Sequence, residues 1–112
     1  MNVKPIPTLD DEANEIRLAT AEIVNQDILP NEGKLWGWMS DGAKASNEVI
    51  EEARALRNDI QEKVKQAKLW APHLPPEFGG MGLSFLHHAY MNEVLAYSAG
   101  AASLFGVVAP NS

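Results

Sequence analysis

The sequence predicts an all-α protein, an antiparallel helical bundle of three long helices and a short fourth. Three observations carry this. Apolar residues recur at intervals of three and four, not at the period of two that a half-buried strand needs. Proline and glycine cluster between the periodic runs and not inside them. The chain shows neither an internal repeat nor a low-complexity tract.

The elements follow in order. Pro5 and Pro7 make residues 1–7 an extended arm. Thr8 is the expected N-cap of the first helix, with Asp11 completing a shortened capping box. Asp10, Asp11 and Glu12 fall in the first turn, where carboxylates favour the positive end of the helix dipole. Leu9, Ala13, Ile16, Thr20, Ile23 and Val24 follow helical spacing, and Pro30 is expected to end this helix near Leu29. Residues 31–47 contain three glycines and the pair Asp41-Gly42, so they read as a loop. Its tryptophans, Trp36 and Trp38, are expected to tuck over a core edge, or else to clamp a ligand.

The second helix is predicted from about Ala45 to Lys68. Val49, Ala53, Leu56, Ile60, Val64 and Ala67 form its apolar stripe. Acids lead and bases trail on the other face, which suits a solvated surface. A connector rich in proline and glycine, Leu69–Gly82, stops that helix. Pro75 and Pro76 fix its approach, and Gly79 and Gly80 are expected to supply positive φ or a close backbone approach. Ser84 then offers an N-cap for a third helix, about Phe85 to Ala99. Leu86, Ala89, Tyr90, Val94 and Tyr97 would form its apolar face. A short fourth helix is predicted over Ala101–Val108. Its run of Leu104, Phe105, Val107 and Val108 has no later sequence to cover it, which calls for a partner or a continuation.

Composition narrows the function classes. The chain has 112 residues and 46% hydrophobic residues, enough for one domain with a core. Its 15 acids against 9 bases give a net charge of −6, unlike a surface for nucleic acid or anionic membrane. No cysteine is present, which removes disulfides, thiolate metal sites and thiol nucleophiles. The first residues lack the basic-then-apolar build of a signal peptide, and no apolar run approaches the ~20 residues of a membrane span. A soluble, cytoplasmic protein is the expectation.

Chemistry is sparse. His87 and His88 are adjacent and so lie about 100° apart on a helix, a poor arrangement for a shared metal. A Ser84–His nucleophile pair lacks an orienting third group, and capping explains Ser84 better. The run Phe78-Gly79-Gly80-Met81-Gly82 follows no strand and precedes no Gly-Lys-Ser/Thr, so it is neither a dinucleotide nor a phosphate loop.

The connector nevertheless has a familiar form. Leu69 and Trp70, then Pro76-Glu77-Phe78-Gly79-Gly80-Met81-Gly82 and Leu83-Ser84, then Glu93 and Leu95-Ala96, resemble the amino-terminal helical domain of acyl-CoA dehydrogenases. Ile28-Leu29-Pro30 resembles the end of that family's first helix, and Val107-Val108-Ala109-Pro110-Asn111-Ser112 resembles its next helix. The similarity covers about Glu12 to Ser112. It implies that residues 1–112 are an incomplete N-terminal helical domain, without the family's middle β-domain and C-terminal helical domain. It further implies FAD as cofactor, acyl-CoA as substrate, an electron-transfer acceptor as partner, and a homo-oligomer for the full-length protein. The catalytic glutamate and the flavin site of the family lie in domains outside these residues. No catalytic, cofactor-binding or metal-binding residue is therefore assigned here, and the fragment itself is expected to be inactive and free of FAD. Ser103, Leu104 and Val107 match positions that wall the acyl tail in the family and are the candidate substrate-binding residues. The alternative is a stand-alone helical interaction module that uses the Ala101–Val108 face and the tryptophan segment as contacts.

Overall fold

Asp10, not Thr8, starts the first helix. The computed structural model describes residues 1–41, 46–72, 76–78, 80–98 and 100–107. In it Asp10 has extended backbone (φ −67°, ψ 165°) and its carboxylate accepts from the Ala13 amide at 2.7 Å. Thr8 lies in the turn closed by the Leu9 amide donating to the Ile6 carbonyl. Helix α1 runs Asp11–Ile23 and buries Ala13, Arg17, Thr20, Ala21 and Ile23.

Pro30 does not end the helical path. A proline offers no amide to the carbonyl four residues back and crowds it sterically. The chain responds by widening to a π-helical turn, Val24–Ile28, in which the Leu29 amide reaches Val24. A 3₁₀ turn, Leu29–Asn31, follows, and α2 begins directly after it at Glu32 and runs to Asp41. The predicted loop is thus largely helix. Gly33 and Gly37 have open space around them, so neither marks a tight turn. Each costs about 1 kcal/mol of helix propensity. Burial of Leu35 and the half-buried Trp36 against the core offsets this. The expected tuck of Trp36 is observed, but from a helix; the side chain of Trp38 lies outside the description.

Helix α3, Asn47–Gln66, is capped by Ser46, whose hydroxyl accepts from the Val49 amide. Ala53, Ile60 and Val64 are buried. Val49 and Ala67 end the stripe in solvent. Its exposed ion pairs, Arg54–Glu51 and Lys65–Glu62, add little stability. At the C-terminus the Leu69 amide bonds Val64 and the Lys68 amide bonds Lys65, both at 3.0 Å. These are the two bonds of a Schellman cap, with Leu69 packing back into the same core as Val64. The left-handed position that glycine normally fills is held by Lys68 (φ 62°).

The connector then turns sharply. Ala71 is a second left-handed non-glycine residue (φ 48°). Its amide donates to the Phe105 carbonyl at 2.7 Å, and its carbonyl accepts from Met81. The Pro72 carbonyl accepts from Leu83. The positive φ at the glycine run falls on Gly82 (64°), where a Cβ would sit 2.8 Å from the Pro76 ring. Expectations for Pro75, Gly79 and Val108 lie outside the described residues.

Ser84 caps α4, Phe85–Leu95, as predicted, by accepting from the His87 amide at 3.2 Å. The buried face is Met91, Val94 and Leu95, while Leu86, Ala89 and Tyr97 point outward. α4 is apolar on nearly every side, so periodicity could not choose its inner face. α4 packs on α1, and α2 packs on α3. The short α5, Ala101–Leu104, touches both α3 and α4. Leu104 and Phe105, expected to lie uncovered, are completely buried in the common core with Ile28, Leu35, Val64 and Met91. Among the described residues there is no strand, and no helix is long and apolar enough to cross a membrane.

Three outcomes follow from these caps. Lys68→Gly should raise the stability measured by urea unfolding by about 0.5–1 kcal/mol, because glycine carries no left-handed penalty. Gly106→Ala should lower it by about 1–3 kcal/mol: Gly106 has φ 73° and its Cβ would lie 2.7 Å from Trp70 Cε2. The Asp10 carboxyl is held below the usual carboxylate range chiefly by the Ala13 amide, which outweighs an opposing desolvation, with lesser help from His87. A depressed acid stabilises the fold above its unfolded value, near pH 4, and loses that contribution as pH falls through the folded value. The Tm gap between the parent chain and Asp10→Ala should therefore be widest near neutrality and close as the pH drops below about 4.

Candidate functional site

The end of α3 and the glycine elbow meet at Trp70. The Schellman cap reverses the chain so that Trp70 lies beneath the last turn of its own helix, with Lys65 Nζ 4.6 Å from the ring centroid. Gly106 lies against the same ring. The elbow returns through its bonds to Ala71 and Pro72, which brings Met81 and Leu83 alongside. Together they enclose an open pocket of about 650 Å³ lined by Glu12, Lys65, Lys68, Trp70, Gly80, Met81 and Leu83. Its lining combines apolar side chains with two ammonium groups and one carboxylate. It could hold an apolar chain with an anionic end, and it offers no nucleophile–base pair. Among the described residues no three His, Asp or Glu side chains gather into a metal site.

A second aromatic contact sits on the other side of α5. Trp36 lies against Gly100 (φ 79°), with the Arg57 guanidinium 5.5 Å from its ring centroid. Nearby, the Ser98 hydroxyl donates to Glu32 Oε1 at 2.5 Å. Trp36 Nε1 and Arg57 Nε are buried without a hydrogen-bond partner. This arrangement fixes helices and carries no evident chemistry.

The three residues predicted to bind substrate lie on and just after α5, at different depths. Ser103 is exposed and its hydroxyl donates to the Gly100 carbonyl at 2.8 Å. Leu104 is fully buried in the core. Val107 is half-buried against that core, with its amide on Ala102. They share a short stretch of chain and do not line the Trp70 pocket, although Gly106, beside Val107, touches Trp70. The face proposed for a stand-alone interaction module points inward, since Ala101, Leu104 and Phe105 have no exposed surface. His87 serves the fold: its Nε2 meets Asp10 Oδ2 at 3.0 Å and ties the start of α4 to the cap of α1.

Sequence reasoning identified Trp70 and the elbow but missed Lys65 and Lys68 as pocket residues. Lys65 reads as part of a solvated face, and Lys68 as the end of the second helix. The usable signal was the missing glycine after α3, which places a long cationic side chain at a left-handed turn beside an aromatic.

The comparisons agree with the elbow. The sequence model for acyl-CoA dehydrogenase, N-terminal domain, matches residues 10–111. No curated protein and no solved structure matches the chain. The match begins at Asp10, the residue that caps α1, and takes in α1–α5 and the elbow between them. The chain belongs to the acyl-CoA dehydrogenases, as an N-terminal domain of that family.

Proposed function

We propose that this chain is the leading helical segment of a flavin-dependent acyl-CoA dehydrogenase and contributes part of the wall around the acyl chain. The observation that carries this reading is the family match across residues 10–111. In this reading the α,β-dehydrogenation is completed by a β-domain and a second helical domain that hold FAD and the base. The electron acceptor docks on the assembled, homo-oligomeric cytoplasmic enzyme.

In this reading the flavin cradle is supplied by those other domains and not by this segment. The glycine turn follows a helix, not a strand, and so lacks the setting of a dinucleotide-binding loop. The role left to this segment is shape. Leu104 anchors α5 in the core, and Ser103 and Val107 stand beside it, one exposed and one half-buried. A small or branched side chain at either position leaves room for hydrocarbon next to a rigid backbone.

The purified 112-residue chain should show no flavin absorbance band and no turnover of acyl-CoA. A yellow preparation with near-stoichiometric flavin would overturn the division of labour described above. In the complete enzyme, Val107→Trp should lower kcat/KM for long acyl thioesters relative to short ones by about tenfold or more, since each methylene group excluded from an apolar slot counts. An unchanged ratio across chain lengths would remove Val107 from the pocket wall.

A further inference from the structure

The first six residues lie along α1 in a manner that is unusual for a terminal arm. The side-chain amide of Asn14 makes two bonds to one residue: Oδ1 accepts from the Ile6 amide at 2.8 Å, and Nδ2 donates to the Ile6 carbonyl at 3.0 Å. Asn25 repeats the pattern on Met1, accepting from its amino group at 2.9 Å and donating to its carbonyl at 2.9 Å. Between them, Arg17 donates from NH1 to the Lys4 carbonyl at 2.9 Å. Arg17 is only 7% exposed, and its Nε has no hydrogen-bond partner.

The spacing is matched to extended chain. Asn14 and Asn25 are eleven residues apart, nine α-helical steps and two in the shorter-pitched π-turn, so their rise along the helical path is about 16 Å. Five steps of an extended, proline-type backbone cover about 15.5 Å. Only an extended segment running antiparallel to α1 can therefore satisfy both amides. The contacts use the backbone of residues 1, 4 and 6, so no amide is needed at Pro5 or Pro7, where none exists. The prolines restrict the free arm in advance and reduce the entropy lost on docking.

Beyond these bonds, Met1 packs against the edge of the core. None of residues 1–9 is buried; Met1, Val3, Ile6 and Leu9 are half-buried and the rest are exposed. Detachment would withdraw Met1 from the edge of the core and uncover a buried guanidinium and two paired amides.

We propose that the helical face bearing Asn14 and Arg17 on α1 and Asn25 on the π-helical turn that continues it is a binding site for an extended, proline-containing peptide backbone, occupied by the chain's own arm as a releasable strap. The site does not depend on the dehydrogenase reading.

The test keeps the receptor face intact and alters only the arm. In the full chain, Ile6→Pro removes the donor that Asn14 reads. The side-chain amide NMR signals of Asn14 and Asn25 should then move to solvent-exposed positions, while core amide signals of α1 and α4 stay in place. Adding a synthetic peptide with the sequence of residues 1–9 should return both side-chain signals saturably, and a scrambled peptide should not. If Ile6→Pro leaves the two asparagine signals unmoved, or if the peptide does not restore them at millimolar concentration, the site is not a peptide receptor. A concentration-dependent dimer of the parent chain, abolished by Ile6→Pro, would place a second copy's arm in the groove and overturn the strap.

Discussion

A four-residue helix cannot hold itself together, and in this protein α5 depends on what grips its two ends. Gly100 and Gly106 flank it, both in the left-handed region, and a tryptophan ring lies against each, Trp36 on one and Trp70 on the other. The Phe105 carbonyl is fastened by the Ala71 amide at 2.7 Å. With its ends fixed in this way, α5 delivers Leu104 and Phe105 into the core, where they meet residues from α3, α4 and the π-helical turn. A side chain on either glycine would displace an indole, and the segment that closes the core would lose its seat.

The grip has a conformational cost. Lys68 and Ala71 both occupy left-handed backbone without being glycine, three residues apart. A position of that kind costs of the order of 1–2 kcal/mol. The surroundings over-determine both. Lys68 is caught between the two bonds of the Schellman cap, and Ala71 is bonded on one side to Phe105 and on the other to Met81. The same bonds bring Met81 and Leu83 next to Trp70, so the pocket beside the elbow is a by-product of how α3 is stopped. Strain, core closure and pocket shape share one set of contacts.

Charge is arranged on a finer scale than the net value suggests. The chain carries an excess of acid, yet Lys65 and Lys68 flank the pocket, with Glu12 as the one acid in its lining. Asp27 receives Lys63 at 2.8 Å across the junction between the π-helical turn and α3. These pairs are largely exposed and contribute modestly to stability. Their effect is to orient the ends of helices whose apolar contacts supply the bulk of the folding energy.

Helical periodicity, capping residues and the family elbow were legible in the chain itself. Ser46 and Ser84 do cap, the stripe of Ala53, Ile60 and Val64 is buried, and the Trp70-to-Ser84 pattern names the family, because these depend on neighbours a few residues apart. Three features were not legible. Pro30 does not end the helical path because a π-turn can absorb a lost donor when both flanking segments are packed. Residues 32–41 are helical, despite their glycines, because Leu35 and Trp36 gain burial that propensity cannot see. The inner face of α4 and the burial of Leu104 and Phe105 were settled by contacts between residues dozens of positions apart. Local spacing determines which elements form; long-range packing decides which way they face and what they enclose.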